Sequence, residues 1–476
     1  TGGQRSPANM LTYYQSQGTT NRIIANLSAD YKLNPALVAK ATYGLDLSVG
    51  DRVTLVSGEA KNAGDGVLDF GQGQLNENRT TSNLLELTLN YNKAAGNVVI
   101  DLVGGYSIQS FRNKYFWASA RGFTDFAFGN MESELRDSYE AGNAAASALH
   151  GSYSNWGISN DLRGGTQASG GFVSGIDFGD GSLEQSYFAR PAGVLVDALG
   201  ANFYDQTDYL QSYFGRGNFT IADKYLITAT LRVDGSSKFG SDNRYGIFPS
   251  GAVAWKLDQE DFMPDLFTTF KLRAGYGVVG NQDGLGYGEF IRRERYGDVG
   301  VGSARQISVP GTTTQGSVNP GLRWESTTQT SVGIDFGVLD EKHSGSFDYY
   351  VKNTGDLLVK RNAAQPAVAN QIFDNLDATV LNQGWEVSLT YQAVNNDDGS
   401  FSISGNISHN KNELKDFGGV LDAGTIYGQG LTGAYAQRLA GGYPLFSYHL
   451  REFQGFDDNG QPIGDDQTFV GKSALP

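Results

Sequence analysis

Leu231-Arg-Val-Asp-Gly-Ser-Ser-Lys-Phe-Gly240, followed by Arg244-Tyr-Gly-Ile-Phe-Pro-Ser-Gly-Ala-Val-Ala-Trp255, carries the fold. Upstream and into this run, Tyr225, Ile227, Ala229, Leu231 and Val233 keep one parity, set against Thr228, Thr230 and Arg232. Alternation at period two marks a strand with unlike faces. The pattern predicts a polar turn opening at Asp234-Gly235, then a second strand ending in Trp255. Long strand, turn, long strand is how a transmembrane β-hairpin is written.

The same parity recurs outward from this hairpin. Leu85, Leu87, Leu89 and Tyr91 stand against Glu86, Thr88 and Asn90. Trp385, Val387, Leu389 and Tyr391 stand against Glu386, Ser388, Thr390 and Gln392. Further copies start near Ile23, Leu37, Val98, Phe270, Val332, Phe347 and Phe401, and no charged residue falls on their apolar parity. A soluble sandwich strand also alternates, with its apolar face inward. Length separates the two readings: globular strands average about 5–6 residues and tilted membrane strands about 9–11. Ile23–Leu33, Leu37–Leu47 and Val98–Ile108 match the membrane figure. A charge-free face is also what hydrocarbon demands, since Arg or Lys at mid-bilayer costs about 2–4 kcal/mol. Tyr91, Trp117, Trp255 and Trp385 lie toward segment ends, where interfacial aromatic girdles belong.

Composition bounds the function. Among 476 residues there are 64 Gly, 25 Tyr and 27 Phe, an enrichment suited to many strands joined by turns. Cysteine is absent, which excludes disulfides and thiolate metal sites. A formal charge of −15 disfavours nucleic acid as a partner. Connections alternate in length. Short ones fall at Asn34-Pro35, Ala94-Ala-Gly96, Ala222-Asp223-Lys224 and Asp397-Asp-Gly399; long ones span about 121–208, 284–314 and 416–432. The first long loop is expected to hold a helix over Glu132–Leu149, with Leu135 and Tyr139 on one side.

Motifs for chemistry are mostly missing. His150, His343, His409 and His449 have no neighbours at metal-ligand spacing. Gly275-Tyr-Gly-Val-Val-Gly280 fits a dinucleotide fingerprint in letters, but no helix follows to hold a pyrophosphate. Asp258, Glu260, Asp261 and Asp265 read as a solvated turn, and Asp457-Asp-Asn-Gly460 as a tight turn in preference to a calcium loop. No cofactor is implied. Glu86, Asp101, Arg232, Lys271, Arg273 and Asp335 occupy the polar parity and would line a barrel interior, pairing with one another or with a plug.

Several segments resemble SusC/RagA-type TonB-dependent outer-membrane transporters, in order. They are Ser212-Tyr-Phe-Gly-Arg-Gly-Asn-Phe219, the opening motif, Glu260-Asp-Phe-Met263 and Lys271-Leu-Arg-Ala-Gly-Tyr-Gly277. Asn319-Pro-Gly-Leu-Arg-Trp-Glu-Ser-Thr-Thr328 with Gly333, Phe347-Asp-Tyr-Tyr350 and Asn382-Gln-Gly384 follow. The match is strong over about 210–465 and pattern-level over 1–209. The resemblance implies an all-β fold, a large antiparallel transmembrane β-barrel of the 22-stranded type, in the outer membrane of a Gram-negative bacterium of the Bacteroidota. The 476 residues would form an incomplete portion of it, with the plug domain and final strands absent. It further implies import of bulky oligosaccharides or peptides, a SusD-like surface lipoprotein as lid, and energy from the TonB–ExbB–ExbD complex. Membrane lipid would surround the wall, and no enzymatic step would be involved. An alternative use of the same barrel is structural, in a surface or secretion complex. A soluble β-rich carbohydrate-active enzyme is the third reading.

Overall fold

The hairpin at 225–255 forms, but its turn opens later than the pattern predicts. The first strand runs Tyr225–Ser236, and Asp234 and Gly235 still pair, with Gly246 and Tyr245. The Tyr245 ring lies over Gly235, where a Cβ would come 2.4 Å from Cε1. A neighbouring aromatic covering a strand glycine replaces the side chain the glycine lacks, so this glycine marks a packed strand and not a break.

The computed structural model describes residues 7–60, 69–150, 155–159, 171–174, 193–196, 198–291, 294–296, 312–314, 318–363, 371–396, 399–426, 434–450, 453–464 and 468–473. A short helix, α1 (Pro7–Tyr13), leads into β1 (Tyr14–Asn34), β2 (Leu37–Val56), β3 (Gln72–Ala95) and β4 (Val98–Arg121). Helix α2 (Phe128–His150) precedes β5 (Ala198–Ile221), β6 (Tyr225–Ser236), β7 (Tyr245–Lys256) and β8 (Phe267–Asn281). The main sheet continues through β9 (Glu325–Val338), β10 (His343–Gly355), β11 (Thr379–Asn396) and β12 (Gly399–Lys415). These twelve follow one another in space in chain order, each antiparallel to the next, with β1 and β12 as the ends of the path. Short hairpins, Leu357–Asn362 with Gln371–Leu376 among them, stand off this sheet.

Register turns the sequence pattern into a surface, because directly paired residues share a face. Leu27, Tyr43, Leu85 and Ile108 stand in one row across β1 to β4. Ile100, Phe219, Ile227 and Val253 continue it in a second row across β4 to β7. Ile334, Phe347, Val387 and Ile407 carry it to β12. One apolar face thus crosses all twelve strands. It is exposed: Leu27 is 73% accessible, Leu87 44%, Ile227 38% and Ile407 61%. Burial against a second sheet, the soluble alternative, is absent among the described residues.

The connections sort by side. The turns 35–36, 96–97, 222–224, 339–342 and 397–398 and the longer link 257–266 fall at one end of the strands. The long connections 57–71, 122–197, 282–324 and 356–378, with the shorter 237–244, fall at the other. Gly96 turns tightly in the left-handed region, φ +62°. The expected loop over 121–208 is shorter than the pattern suggested, because Ala198–Asp208 pair with Phe111–Arg121. The period-two pattern does not mark this stretch, because the apolar parity changes character beyond the apolar belt. There the outward positions hold Arg79, Arg112, Lys114 and Asp205, and Arg112 makes a bidentate pair with Asp205. Strands of 24 residues such as β3 overshoot an apolar belt about 25 Å tall.

Past this charged band the same face turns apolar again and holds α2. Met131 and Leu135 are fully buried against Val53, Leu55, Leu75, Ala118 and Leu199. Ser138, one turn on, accepts the backbone N–H of Leu195 at 2.9 Å. The helix starts earlier than expected, at Phe128, and Asp125 turns the chain just ahead of it, accepting Ala127 N–H at 2.8 Å and Asn130 Nδ2 at 2.6 Å. Those bonds, the backbone one first, hold the Asp125 carboxyl below the usual aspartate range.

Candidate functional site

The reverse face of the sheet is polar, and all six candidate residues stand on it. Glu86 lies between Thr42 and Ser107, and Asp101 between Asn92 and Asn218. Arg232 lies between Phe214 and Phe248. Lys271, Arg273 and Asp335 come together on β8 and β9. Lys271 Nζ is 2.7 Å from Asp335, and Arg273 donates to the same carboxylate from Nε and from Nη2 at 2.7 Å. Arg273 also reaches across β9 to Asp348 on β10, at 3.0 Å.

Gly333 makes that crossing possible. It sits opposite Arg273, and a Cβ there would lie 2.3 Å from Asp348 Oδ1 and 2.9 Å from Arg273 Nη2. The four side chains are 24% to 35% exposed, so each pair is worth about 1 kcal/mol. Their role is to hold three strands in register. Arg232 forms a separate group: it bonds Asp234 and Ser212 and places its guanidinium 5.6 Å from the centre of the Phe214 ring. No ion pair joins Glu86, Asp101 and Arg232 among the described residues. Asp348, which the parity of Phe347-Asp-Tyr-Tyr350 placed on the polar side, was not singled out as a candidate.

The loop end has its own scaffold, built on Asn319–Glu325. Asn319 Nδ2 donates to Asp374 at 2.9 Å, while its Oδ1 accepts Gly321 N–H at 2.9 Å. Asn375 accepts Arg323 N–H at 2.9 Å and donates to the carbonyls of Arg323 and Asp356 at 2.8 Å each. The hydrogen bond to Asp356 raises the Arg323 pKa further above its usual range. Trp324 packs on Phe239 and Phe248, with ring centres 5.0 and 5.5 Å away, and donates to Arg244 O at 3.1 Å. The polar motif therefore ties two long connections and the opening hairpin into one rim, with Phe239 and Leu322 fully buried at its centre.

On the short-turn side, Glu260 departs from the solvated turn expected of it. It accepts from Lys224 at 2.7 Å, Trp255 Nε1 at 3.0 Å and Tyr225 at 3.1 Å. Trp255 and Tyr225 stack 6.0 Å apart on the apolar side, as a girdle pair would. Trp117 does not belong there. It pairs with Asn76 and Asn202 on the polar parity. Asp457 forms the tight turn expected, its carboxylate accepting the N–H groups of Asn459 and Gln461. No cluster of three or more metal-ligating side chains occurs among the described residues.

Known proteins agree with this geometry. A family model described as TonB dependent receptor-like, beta-barrel, matches residues 11–471. TonB-dependent receptor P3 of Formosa agariphila is 29% identical over 94% of the chain, which spans 38% of that relative. TonB-dependent receptor SusC of Bacteroides thetaiotaomicron is 33% identical over 60% of the chain, covering 29% of its own length. Among solved structures, the RagAB peptide importer in its open-open state superposes with a TM-score of 0.72 at 17% identity. All of this chain and 46% of that one are covered. The chain belongs to the TonB dependent receptor-like β-barrel family.

Proposed function

We propose that the chain forms part of the wall of a TonB-dependent importer in the outer membrane of a Gram-negative bacterium of the Bacteroidota. One observation carries the reading: a single exposed apolar face crosses twelve strands, its reverse is polar, and every connection longer than ten residues stands at one rim. Hydrocarbon solvates the first face, and a hydrated passage takes the second. The curated relatives named TonB-dependent receptors and the fold of a peptide importer support import of bulky oligosaccharides or peptides over the purely structural use.

In this reading Glu86, Asp101, Arg232, Lys271, Arg273 and Asp335 line the lumen. Each either pairs within the wall or faces a plug, and none performs covalent chemistry. The solute is held between the rim loops and a SusD-like lipoprotein lid, then released inward when the TonB–ExbB–ExbD complex moves the plug. The protein is a transporter and not an enzyme. Deleting the gene should abolish growth on one polymeric glycan or peptide source, with growth restored by the intact gene. Undiminished growth on every such source would refute the proposal.

A further inference from the structure

The polar face carries a cavity of about 570 Å³ near the loop end of β1 to β4, on the opposite side of the sheet from α2. That volume lies within the roughly 300–1,000 Å³ typical of small-molecule sites. Gly18 and Gly50 form its floor, where any side chain would take up the space. At Gly50 a Cβ would meet Thr20 Oγ1 at 3.3 Å and Thr19 O at 3.8 Å.

The lining side chains on the polar parity are amides, hydroxyls and one guanidinium; Asp51 also borders the cavity but stands on the opposite parity. Gln74, Asn76 and Asn78 occupy three successive positions of one face of β3. Asn is depleted in strands, so a run of amides there is not what strand stability selects. Their orientation is set: Asn76 Oδ1 accepts from Tyr115 OH at 2.8 Å and from Gln74 Nε2 at 3.1 Å, which leaves its Nδ2 to donate elsewhere. Arg52, Asn78 and Thr80 have no hydrogen-bond or ion-pair partner among the described residues. Tyr115 is stiffened by stacking on Tyr204, ring centres 5.4 Å apart, and Trp117 stands two residues on, on the same face.

We propose that this cavity is a binding subsite for a glycan segment. Amides and hydroxyls each donate and accept, which matches the hydroxyls of a sugar ring, and an aromatic face suits its C–H surface. Arg52, the single cation, favours a ring bearing a carboxylate or sulfate. A peptide would call for apolar pockets at alternate positions, and the lining offers none. The subsite rests on the importer reading, because it uses the polar face as the wall of the passage.

The test uses the full-length receptor in detergent, screened against an array of neutral, uronic and sulfated oligosaccharides and against a heptapeptide library. Two variants accompany it. Gly50→Leu fills the floor, and Arg52→Ala/Asn78→Ala removes atoms without adding bulk. Both should keep the wild-type shift between boiled and unboiled gel mobility. The expected result is retention of acidic glycans by the wild type, weakened about tenfold or more by each variant. Retention of peptides alone, lost in Gly50→Leu, overturns the glycan assignment. Glycan binding untouched by either variant overturns the location and leaves the importer reading standing. A wild type that retains neither class overturns the subsite, and normal growth of the deletion strain on all polymers separately overturns importer function.

Discussion

Leu87 lies at the middle of the apolar stretch Leu85–Tyr91, 44% exposed, between Ala41 and Tyr106. Its chain neighbour Glu86 faces the other way, between Thr42 and Ser107. Leu87→Arg puts a cation into hydrocarbon at mid-bilayer, at a cost of about 2–4 kcal/mol. At about 1.4 kcal/mol per tenfold, the folded-to-unfolded ratio should fall by about 30- to 700-fold. Glu86→Arg places the same side chain one residue away on the wet face. No ion pair of Glu86 exists to be lost among the described residues, so its effect should stay within about 0.5 kcal/mol. The assay is urea unfolding of the full-length receptor from lipid vesicles, followed by tryptophan fluorescence. Equal losses for both variants, or a larger one for Glu86→Arg, would contradict the assignment of faces, whatever the wild-type stability.

Three further perturbations probe the wall, its turns and its rim. Gly333→Ala forces a Cβ to 2.3 Å from Asp348 Oδ1, so Arg273 should lose its second partner and stability fall by about 1–3 kcal/mol, read as a lower urea midpoint. Glu260 is held below the usual glutamate range chiefly by the Lys224 hydrogen bond, then by Trp255. Its contribution is complete above the ordinary pKa and fades as pH drops through the depressed one. Lys224 is raised in turn, chiefly by Glu260, and its share is complete below the ordinary lysine pKa and fades as pH climbs through the raised one. Glu260→Gln should flatten the acid limb of a stability–pH curve, and an unchanged limb would argue against the contact. Phe239→Ala empties a fully buried position beside Trp324 and should cost about 3–5 kcal/mol of local stability, exposing 282–291 and 318–324 to protease. An unaltered digestion pattern would mean that the rim is not held there.

How much of this was legible beforehand differs by element. Parity at Leu85–Tyr91 or Trp385–Tyr391 announced both the strand and its two environments, because lipid tolerates no charge on one side. The same rule failed at Ala198–Asp208. Its outward positions lie beyond the bilayer, where Asp205 can pair with Arg112 in water. Gly235 read as a break because the residue that covers it, Tyr245, is known only once the strands are aligned. The six polar candidates all stand on one face of the sheet. Which of them meet depends on register, and no single strand states its register. Asp348 and the Asn319–Asp374 bond were hidden for the same reason, since they join residues far apart in the chain.

The placement of α2 has a practical consequence. Its stripe Met131, Leu135 and Ser138 faces the sheet, while Ser133, Asp137 and Glu140 look away from it. A fluorophore or affinity tag grafted at Asp137 would sit on the flank of the sheet, opposite the polar face that the importer proposal assigns to the passage. Under that proposal such a handle could report lateral crowding in the membrane without entering the passage.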